Sequence, residues 1–290
     1  MSVQRSSLPE MEPLTLPGLV TRRFGRFACF LPQVDSTNLF LKENAEKLPS
    51  GAVCAAGVQT AGRGRLGRTW TQAGTQAEPR AGMQSWLGEG KDLPFSLLIR
   101  SEKPLPALSL CCGVAVAEAL SELTGADFGI KWPNDIICRD KKICGILCES
   151  RAAGEGVVFM VCGMGVNLTQ TAQDFERAGL PHGGSVEMLT DKRLEPPAVA
   201  AAVLNRLEPL CDRLASEGFA GIKSRFEARC VTLGRQVSVT QAGRSSCGRA
   251  VGLSEDGSLL VAFPDPGGPG ETVRPVLAGE ASVRGLLGYI

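Results

Sequence analysis

The stretch IKWPNDIICRDKKICGILCES, residues 130–150, holds two apolar runs interrupted by four charged residues. The runs are Ile130–Cys138 and Ile143–Cys148, and Arg139–Lys142 separates them. A short polar interruption between two apolar runs is typical of a β-hairpin with a polar turn. Residues 130–150 therefore predict two paired strands in the middle of the chain.

The flanking segments predict helices and further strands. Leu105–Leu123 is apolar almost all round, as a helix buried against a sheet would be, and Ala198–Glu217 has apolar residues near helical spacing. Val53–Val58 and Val157–Cys162 have the composition of buried strands. This alternation predicts a mixed α/β domain over residues 28–229.

The two ends of the chain have different patterns. Residues 1–27 contain prolines and glycines without a helical period, and we expect an N-terminal arm. In residues 230–290, short apolar and polar alternations surround turn residues such as Asp256-Gly257. This C-terminal segment predicts a small β-barrel domain.

Composition narrows the class of protein. The formal net charge is +1, from 31 basic and 30 acidic residues, so no overall positive field would attract DNA or an anionic membrane. The eleven cysteines have no small-domain disulfide or CxxC spacing, which indicates reduced core thiols. The N-terminal segment has no continuous apolar run, so we expect no signal peptide, no membrane span and a cytoplasmic location.

An arginine and glycine loop follows the strand at 53–58. Residues 59–70 read QTAGRGRLGRTW, with three arginines and three glycines interleaved. Glycines allow close backbone approach, and each guanidinium offers a rigid donor fork for phosphate or carboxylate oxygens. The loop predicts a site for a polyanionic small molecule, and the alternative is a solvated surface loop.

Three common nucleotide-binding motifs are rejected. Gly62–Gly67 spells GxGxxG, but Gly74 and Pro79 follow where a dinucleotide-binding fold needs a helix. Asp127–Gly129 spells DFG without a kinase catalytic loop, and no GxxxxGK[ST] loop is present. His182 is the only histidine, so a zinc site is not expected.

Lys131 lies in KWPND among apolar residues, two positions before Pro133. One hypothesis is that its ammonium, partly desolvated in a cleft, neutralises developing negative charge. The alternative is that the side chain extends its ammonium to water. For Asn134 and Asp135, capping of the turn is preferred over a substrate or metal role.

Two shorter motifs each allow two interpretations. Asp35–Asn38 precedes an apolar segment and predicts a helix N-cap, although its hydroxyls could contact a ligand. Gly163 and Gly165 follow the strand Val157–Cys162. They could let a flat ligand lie against the backbone, or simply form a turn.

In combination and order, these motifs resemble the biotin protein ligase family. The resemblance covers about residue 27 to the end and rests on DSTN (35–38), QTAGRGRLGRTW (59–70), KWPND (131–135), KICGILCES (142–150), GMGVNL (163–168), GRQV (234–237) and GEASVR (279–284). It implies a mixed-sheet α/β catalytic domain of the biotin/lipoate ligase type with a small C-terminal β-barrel.

The resemblance also implies a two-step reaction. Biotin attacks the α-phosphate of ATP to give biotinyl-5'-adenylate, and a lysine of a carboxylase biotin carrier domain then takes the biotin. Mg²⁺ would accompany the nucleotide, with no protein ligands assigned. Lys131 and Arg65 are the expected catalytic residues. The expected biotin contacts are Ser36, Thr37, Asn38, Gln59, Arg63, Gly64, Arg65, Lys131, Gly163 and Gly165. The expected ATP or adenylate contacts are Arg63, Arg65, Arg68, Trp70 and Asn167.

The sequence departs from the family pattern at two places. Thr71–Ser85 intervenes after the arginine loop, so either Trp70 or Trp86 could lie beside the adenine, with Trp70 preferred by motif. The N-terminal DNA-binding domain of dual-function members has no counterpart, and we expect a ligase that does not bind DNA. The sequence leaves open whether the protein is a monomer or a homodimer.

Two other functions remain open at this point. A lipoate or octanoate ligase or transferase has a similar fold and also places a lysine near an acyl group. A catalytically inactive scaffold could keep the fold and the barrel. The matching GRGRLGR and KWPND motifs favour biotin over lipoate or octanoate. The retained Arg63, Arg65, Arg68 and Lys131 count against an inactive scaffold.

Overall fold

A computed structural model describes residues 12–74, 91–153, 156–241, 243–265, 267–278, 281–285 and 289. This part of the chain forms a mixed α/β structure with two separate sheets, as the sequence predicts. No helix within the described ranges has the length and apolar character needed to cross a membrane.

The larger sheet has eight strands in the order β1-β2-β3-β4-β8-β7-β6-β5. The strands are β1 (Glu12–Pro13), β2 (Ala28–Val34), β3 (Val53–Gln59), β4 (Asp92–Ser101), β5 (Gly129–Lys131), β6 (Asp135–Cys138), β7 (Lys141–Ala152) and β8 (Val158–Asn167). β2 and β3 are parallel, and all other neighbours in the sheet are antiparallel. The sheet is therefore mixed.

Helices cover both faces of this sheet. The helices of the described residues are α1 (Thr37–Glu43), α2 (Leu108–Thr124), α3 (Ala172–Arg177), α4 (Val186–Thr190), α5 (Pro196–Glu217) and α6 (Ala220–Glu227). α1 packs on β3, β4 and β8, whereas α2 packs on β5 to β8 and against α5. Because neighbouring strand residues point to opposite faces, Val161 lies in the core beneath α1 and Cys162 in the core beneath α2.

The central segment differs in one respect from its prediction. The turn lies at Arg139 and Asp140, whose φ angles of 45° and 63° suit a two-residue hairpin loop. However, Ile130–Cys138 is not one strand: the chain reverses at Trp132–Asn134, and β5 pairs with β6. Pro133 has no N–H to donate to a strand neighbour, which accounts for the reversal.

β8 is longer than its apolar run. The prediction that glycines end this strand after Cys162 is wrong, because Gly163 and Gly165 continue it and pair with β7 and β4. Glycine is tolerated in a strand where another group approaches the backbone closely. The approaching groups belong to the candidate site described below.

The C-terminal part is a five-stranded antiparallel sheet in the order β12-β11-β10-β9-β13. Its strands are β9 (Gln236–Gln241), β10 (Arg244–Leu253), β11 (Leu259–Pro264), β12 (Glu271–Val276) and β13 (Ala281–Gly285). The predicted hairpin at Asp256-Gly257 connects β10 to β11. Trp132 joins the two sheets, because its backbone N–H donates to Thr232 Oγ1 (2.9 Å) and its Nε1 donates to the Gly257 carbonyl (3.1 Å).

The described part of the N-terminal segment lies against the main body of the protein. β1 pairs with β2, and the backbone N–H groups of Arg22, Arg23 and Phe24 donate to the Glu208 carboxylate of α5. Charge-assisted hydrogen bonds of this kind are stronger than neutral ones. Residues 22–24 are thereby fixed to α5.

Candidate active site

A cleft opens on the face of the larger sheet that carries α1. The space that it encloses, including the part open to solvent, is about 780 Å³. Eleven of the residues predicted for the site line it: Ser36, Thr37, Asn38, Gln59, Arg63, Gly64, Arg65, Arg68, Trp70, Gly163 and Gly165. Segments far apart in sequence therefore meet at one place.

Buried polar groups form one wall of the cleft at the start of α1. Thr37 Oγ1 lies 2.7 Å from Ser96 Oγ, and Ser96 Oγ donates to Asn38 Oδ1 at 2.7 Å. Gln59 Oε1 accepts from the backbone N–H of Thr37 at 2.9 Å. Ser36 is the N-cap residue of α1, as predicted, but its side chain makes no capping hydrogen bond. These mutual hydrogen bonds hold Thr37, Asn38 and Gln59 in fixed orientations.

Glycines in β7 and β8 allow two side chains to lie directly on the sheet. A Cβ atom at Gly163 would lie 2.3 Å from Asn38 Oδ1, and one at Gly165 would lie 2.6 Å from the Trp70 indole. A Cβ atom at Gly145 would also meet Trp70, at 2.8 Å. The flat groups that approach these glycines in the described structure are thus an amide and an indole of the protein itself.

The arginine loop folds back on itself instead of extending into solvent. The Gly64 N–H donates to the Arg68 carbonyl at 2.7 Å, and the Trp70 N–H donates to the Gly62 carbonyl at 2.9 Å. Leu66 has a φ of 55° and is 55% exposed at the tip of the loop. The loop is therefore ordered by backbone hydrogen bonds, with its arginines directed along the cleft.

Arg65 connects the arginine loop to KWPND. Its Nη1 donates to Asn134 Oδ1 at 3.0 Å, and its Nη2 donates to the Ala278 carbonyl next to the C-terminal sheet. Asn134 Nδ2 in turn donates to the Ile146 carbonyl of β7 at 2.8 Å. Burial lowers the pKa of Arg65, and Asp135 opposes this fall. Asn134 is thus more than a turn residue, since it holds the guanidinium in place.

Glu149 links the other end of the loop to α1. Its Oε1 lies 2.9 Å from Lys42 Nζ and 3.4 Å from Arg63 Nη1, while its Oε2 accepts from Asn38 Nδ2 at 3.1 Å. Burial opposes ionisation, but the hydrogen bonds from Lys42 and Asn38 hold the pKa of Glu149 below its ordinary value. Glu149 thus keeps Arg63 and Asn38 at the same side of the cleft.

Lys131 is only 5% exposed, so its side chain does not extend to water. Its Nζ lies 3.5 Å from the centroid of the Tyr289 ring, a close cation–π contact. Burial lowers the pKa of Lys131 to about 8, Asp135 opposes this fall, and Lys142 adds to it. Tyr289 lines the cleft in front of Lys131.

Asp135 is the carboxylate that lies among Lys131, Lys142 and Tyr289. Its Oδ1 lies 2.6 Å from Lys142 Nζ, and its Oδ2 accepts a hydrogen bond from the Tyr289 hydroxyl. Burial would raise the pKa of Asp135, but Lys142 and the Tyr289 hydroxyl hold it below its ordinary value. The preferred interpretation of Asp135 as a turn cap is therefore wrong, because its side chain lies in the cleft.

A second pocket adjoins the cleft beyond Trp70. It is lined by Asn167, His182 and Phe175 together with Trp70, Lys142 and Tyr289, which both pockets share. Asn167 is 5% exposed, and its Nδ2 donates to the Gly184 carbonyl at 3.0 Å. The Tyr289 and His182 rings stack with centroids 5.1 Å apart. Asn167 therefore shapes this pocket, while the aromatic rings offer flat surfaces in it.

Sequence reasoning missed Tyr289, Ser96 and Lys142 as site residues. Ser96 lies inside an apolar strand, and Lys142 belongs to a segment predicted as a polar turn. The neighbouring sequence therefore predicts a site role for neither residue. Tyr289 is the only tyrosine of the chain, which marks it as unusual but does not predict where it lies. Trp86, the alternative to Trp70, lies outside the described residues. Trp70 Nε1 is buried without a hydrogen-bond partner among them, as a donor awaiting a ligand would be.

Comparison with known proteins relates this site to a family. The sequence model of the Biotin/lipoate A/B protein ligase family matches residues 30–77 and 72–167, and that of the Biotin protein ligase C terminal domain matches residues 232–284. The biotin--[acetyl-CoA-carboxylase] ligase of Paracoccus denitrificans is 31% identical over 249 residues, which span 81% of this chain and 93% of the relative. The bifunctional ligase/repressor BirA of Escherichia coli is 29% identical over 96% of this chain and 81% of its own.

Solved structures agree with this relationship. The biotin protein ligase from Aquifex aeolicus in complex with biotin and ATP has a TM-score of 0.71 and 28% identity. The match covers 90% of this chain and 99% of that one. The predicted family, fold class and enzyme class are therefore confirmed, and the chain belongs to the biotin protein ligases.

Proposed function

We propose that this protein activates biotin with ATP to biotinyl-5'-adenylate and then transfers biotin to a lysine of a carboxylase biotin carrier domain. The observation that carries the proposal is the meeting of the arginine loop and KWPND at one cleft, joined by the hydrogen bond from Arg65 to Asn134. The relatives named above, whose names specify biotin ligation, support the same activity.

The first step brings two anions together, the biotin carboxylate and the α-phosphate of ATP. At 4 Å, two like charges repel by about 1 kcal/mol in water and several-fold more in a desolvated site. Arg63 and Arg65 line the cleft, and Lys131 lies directly behind Tyr289. We assign Lys131 and Arg65 to the neutralisation of charge as the carboxylate attacks phosphorus and pyrophosphate leaves.

The polar wall at the start of α1 suits the uncharged end of biotin. The ureido ring of biotin offers N–H donors and a carbonyl acceptor, and Thr37, Asn38 and Gln59 offer complementary hydroxyl and amide groups. Because these groups are already held by one another and by Ser96, little side-chain entropy is lost on binding. Ser36, Gly64, Gly163 and Gly165 complete this end of the proposed biotin site.

We assign the nucleotide to the side of the cleft that holds Arg68, Trp70 and the pocket containing Asn167. His182 and Trp70 offer aromatic surfaces there for a base. In the second step, the carrier lysine amine attacks the biotinyl carbonyl carbon and forms an amide as AMP leaves with the bonding electrons. AMP leaves far more readily than oxide would, which is why activation precedes transfer.

Among the described residues, Asp135 in the cleft and Glu149 beside it do not fit a Mg²⁺ ion held by the protein. Asp135 is paired with Lys142 at 2.6 Å, and Glu149 is paired with Lys42 at 2.9 Å. We therefore propose that Mg²⁺ accompanies ATP, bound to phosphate oxygens and water, as this hard ion often is.

The decisive experiment is exchange of labelled pyrophosphate into ATP by the purified protein, with biotin, lipoate and octanoate supplied separately. Exchange only with biotin is the expected result. Exchange with lipoate or octanoate instead would favour the related acyl ligases, and exchange with none of the acids would favour an inactive scaffold. Lys131→Ala should abolish exchange while the circular dichroism spectrum and melting temperature show a folded protein.

Further expectations belong to the same proposal. We propose an N-terminal arm over residues 1–27, a catalytic domain over 28–229 and a C-terminal domain over 230–290. We also propose a cytoplasmic enzyme, monomeric or homodimeric, that does not bind DNA sequence-specifically. Salt-dependent binding to one duplex sequence over others would contradict the last expectation.

A further inference from the structure

Three cysteines meet behind the cleft, on the opposite face of the larger sheet. The Sγ atoms of Cys112 on α2, Cys148 on β7 and Cys162 on β8 all lie within 4.8 Å of one another. Cys148 and Cys162 are cross-strand partners, and Cys112 faces them from the helix. Cys112 and Cys162 are fully buried, while Cys148 is partly exposed. The proposed ligation reaction uses none of these thiols.

We propose that Cys112, Cys148 and Cys162 form a binding site for a trivalent thiophilic ion, for which arsenite is the matching ligand. Trivalent arsenic keeps a lone pair, so three sulfurs bound to it at about 2.3 Å form a pyramid and lie about 3.5 Å apart. Sulfurs that already lie within 4.8 Å of one another need to move by less than 1 Å to reach this arrangement.

Charge decides between a trivalent and a divalent ion. Three thiolates around a divalent ion leave a net charge of −1, which is costly in an apolar core. Arsenite avoids this cost, because As(OH)₃ and three thiols give As(SR)₃ and three water molecules. Each As–O bond is replaced by an As–S bond, each thiol proton leaves in water, arsenic remains trivalent and the product is neutral.

The thiols are arranged so that one of them reacts first. Hydrogen bonds from Cys112 and from Cys162 lower the pKa of Cys148, and burial opposes this fall. Those same interactions raise the pKa of Cys112 and of Cys162. The thiolate is the nucleophilic form of cysteine, so the first As–S bond should form at Cys148.

Cys148 is also the one of the three cysteines that has surface exposed to solvent. It lines a surface pocket together with Leu105, Leu108 and the buried side chain of Met160. A small neutral molecule such as As(OH)₃ could reach Cys148 through this pocket and then contact the two deeper thiols. The order of access thus matches the order of reactivity.

Two other thiol pairs provide natural comparisons. Cys29 and Cys54 are neighbours on β2 and β3, and the Sγ atoms of Cys111 and Cys211 lie 3.9 Å apart. A pair can form only two As–S bonds and would leave one hydroxyl on arsenic. Among the described residues, the group of three is the one that can satisfy all three bonds.

Occupation of this site should affect the cleft on the other face. Cys148 precedes Glu149, which accepts from Asn38, and Cys162 precedes Gly163, which lies against Asn38. Drawing the two sulfurs together would shift the backbone beneath Asn38. Arsenite should therefore raise the KM for biotin in pyrophosphate exchange, an expectation that rests on the proposed function.

The test uses the full chain, reduced with a phosphine so that no competing thiol is present, and titrated with sodium arsenite. We expect one arsenic atom per chain after gel filtration, three sulfur neighbours by X-ray absorption at the arsenic edge, and a loss of three titratable thiols. Binding is measured without reference to ligase activity, so failure of the proposed function would not be mistaken for failure of this site.

Cys112→Ala and Cys148→Ala are the informative variants, each checked for folding by circular dichroism. Each should weaken arsenite binding about a hundredfold or more, because the third bond is intramolecular. The double variant Cys29→Ala/Cys54→Ala and Cys247→Ser, which removes an exposed thiol, should bind as the unaltered protein does. Two sulfur neighbours on arsenic, no bound arsenic, or binding unchanged in both informative variants would overturn the proposal.

Discussion

Tyr289 lies over Lys131, with the lysine Nζ 3.5 Å from the centroid of the ring. The Tyr289 hydroxyl donates to Asp135, so the ring is held at both its face and its polar end. As a result, Lys131 is 5% exposed although its neighbours Asn134 and Asp135 line the cleft. An anionic substrate that uses Lys131 must first displace the ring from the ammonium.

Replacement of Tyr289 by alanine should therefore ease substrate binding. A desolvated cation–π contact contributes up to about 2 kcal/mol, and its loss would remove a competitor for Lys131. We expect Tyr289→Ala to lower the KM for ATP in pyrophosphate exchange by about three- to thirtyfold.

Tyr289→Phe is the matched control. It keeps the ring over Lys131 and loses only the hydrogen bond to Asp135, so its effect on the KM for ATP should lie between those of the alanine variant and the unaltered protein. An increase in KM in Tyr289→Ala would show instead that the ring forms part of the nucleotide site.

The buried charge of Lys131 should lower the free energy of unfolding of the protein. The pKa of Lys131 falls from 10.5 to about 8, which corresponds to about 3 kcal/mol at neutral pH. Lys131→Met keeps most of the apolar stem and removes the buried charge. We expect this variant to unfold at higher temperature and urea concentration, by about 1–3 kcal/mol, while pyrophosphate exchange is lost.

The pH dependence of unfolding tests the same assignment. Because the unfolded chain holds the Lys131 proton more tightly, the Lys131 contribution to the free energy of unfolding rises as pH increases from about 8 to 10.5. This rise should be absent from Lys131→Met. Parallel stability curves for the two proteins across this window would contradict the buried, perturbed lysine.

The free energy of unfolding should rise with pH, whereas the activity in pyrophosphate exchange should fall. Lys131 acts as a cation, so kcat/KM should fall with a one-proton slope as pH increases through about 8. Asp135 raises the pKa of Lys131, so Asp135→Asn should move this fall to lower pH. The measurement is the pH profile of kcat/KM for exchange, and an unmoved profile in Asp135→Asn would exclude Lys131 as the titrating group.

Local sequence predicted the elements but not every contact between them. The apolar runs located α2, α5, β3 and the turn at Arg139–Asp140, because burial and turn chemistry are local properties. The division of Ile130–Cys138 into two strands depends on which neighbours are available to pair, which periodicity does not encode. Tyr289 reaches Lys131 through the path of the chain, so no nearby residue predicts the contact.

In the site, too, local sequence predicted some groups but not the contacts between distant residues. Arginines and glycines at 62–68 predicted an anion-binding loop because their chemistry is local, and resemblance placed Lys131 with them. The partners that fix these groups, such as Ser96 and Glu149, come from the faces of distant strands. Their roles follow from strand register, which the sequence alone did not determine.

Gly163 offers the most direct test of the polar wall. A methyl group at this position would lie 2.3 Å from Asn38 Oδ1, well inside van der Waals contact, so Asn38 must move. The movement would break the hydrogen bonds from Ser96 to Asn38 and from Asn38 to Glu149. Loss of two such bonds is worth about 1–3 kcal/mol, so Gly163→Ala should raise the KM for biotin about ten- to a hundredfold.

The KM for ATP should change little in Gly163→Ala, because Arg68 and Trp70 do not depend on Asn38. Gly268→Ala is the matched control, since a Cβ atom there meets nothing within 4 Å, and its KM for biotin should be that of the unaltered protein. Equal increases in both KM values would mean that the sheet itself is distorted. An unchanged KM for biotin would mean that Asn38 does not contact biotin, and the proposed biotin end of the cleft would have to be reassigned.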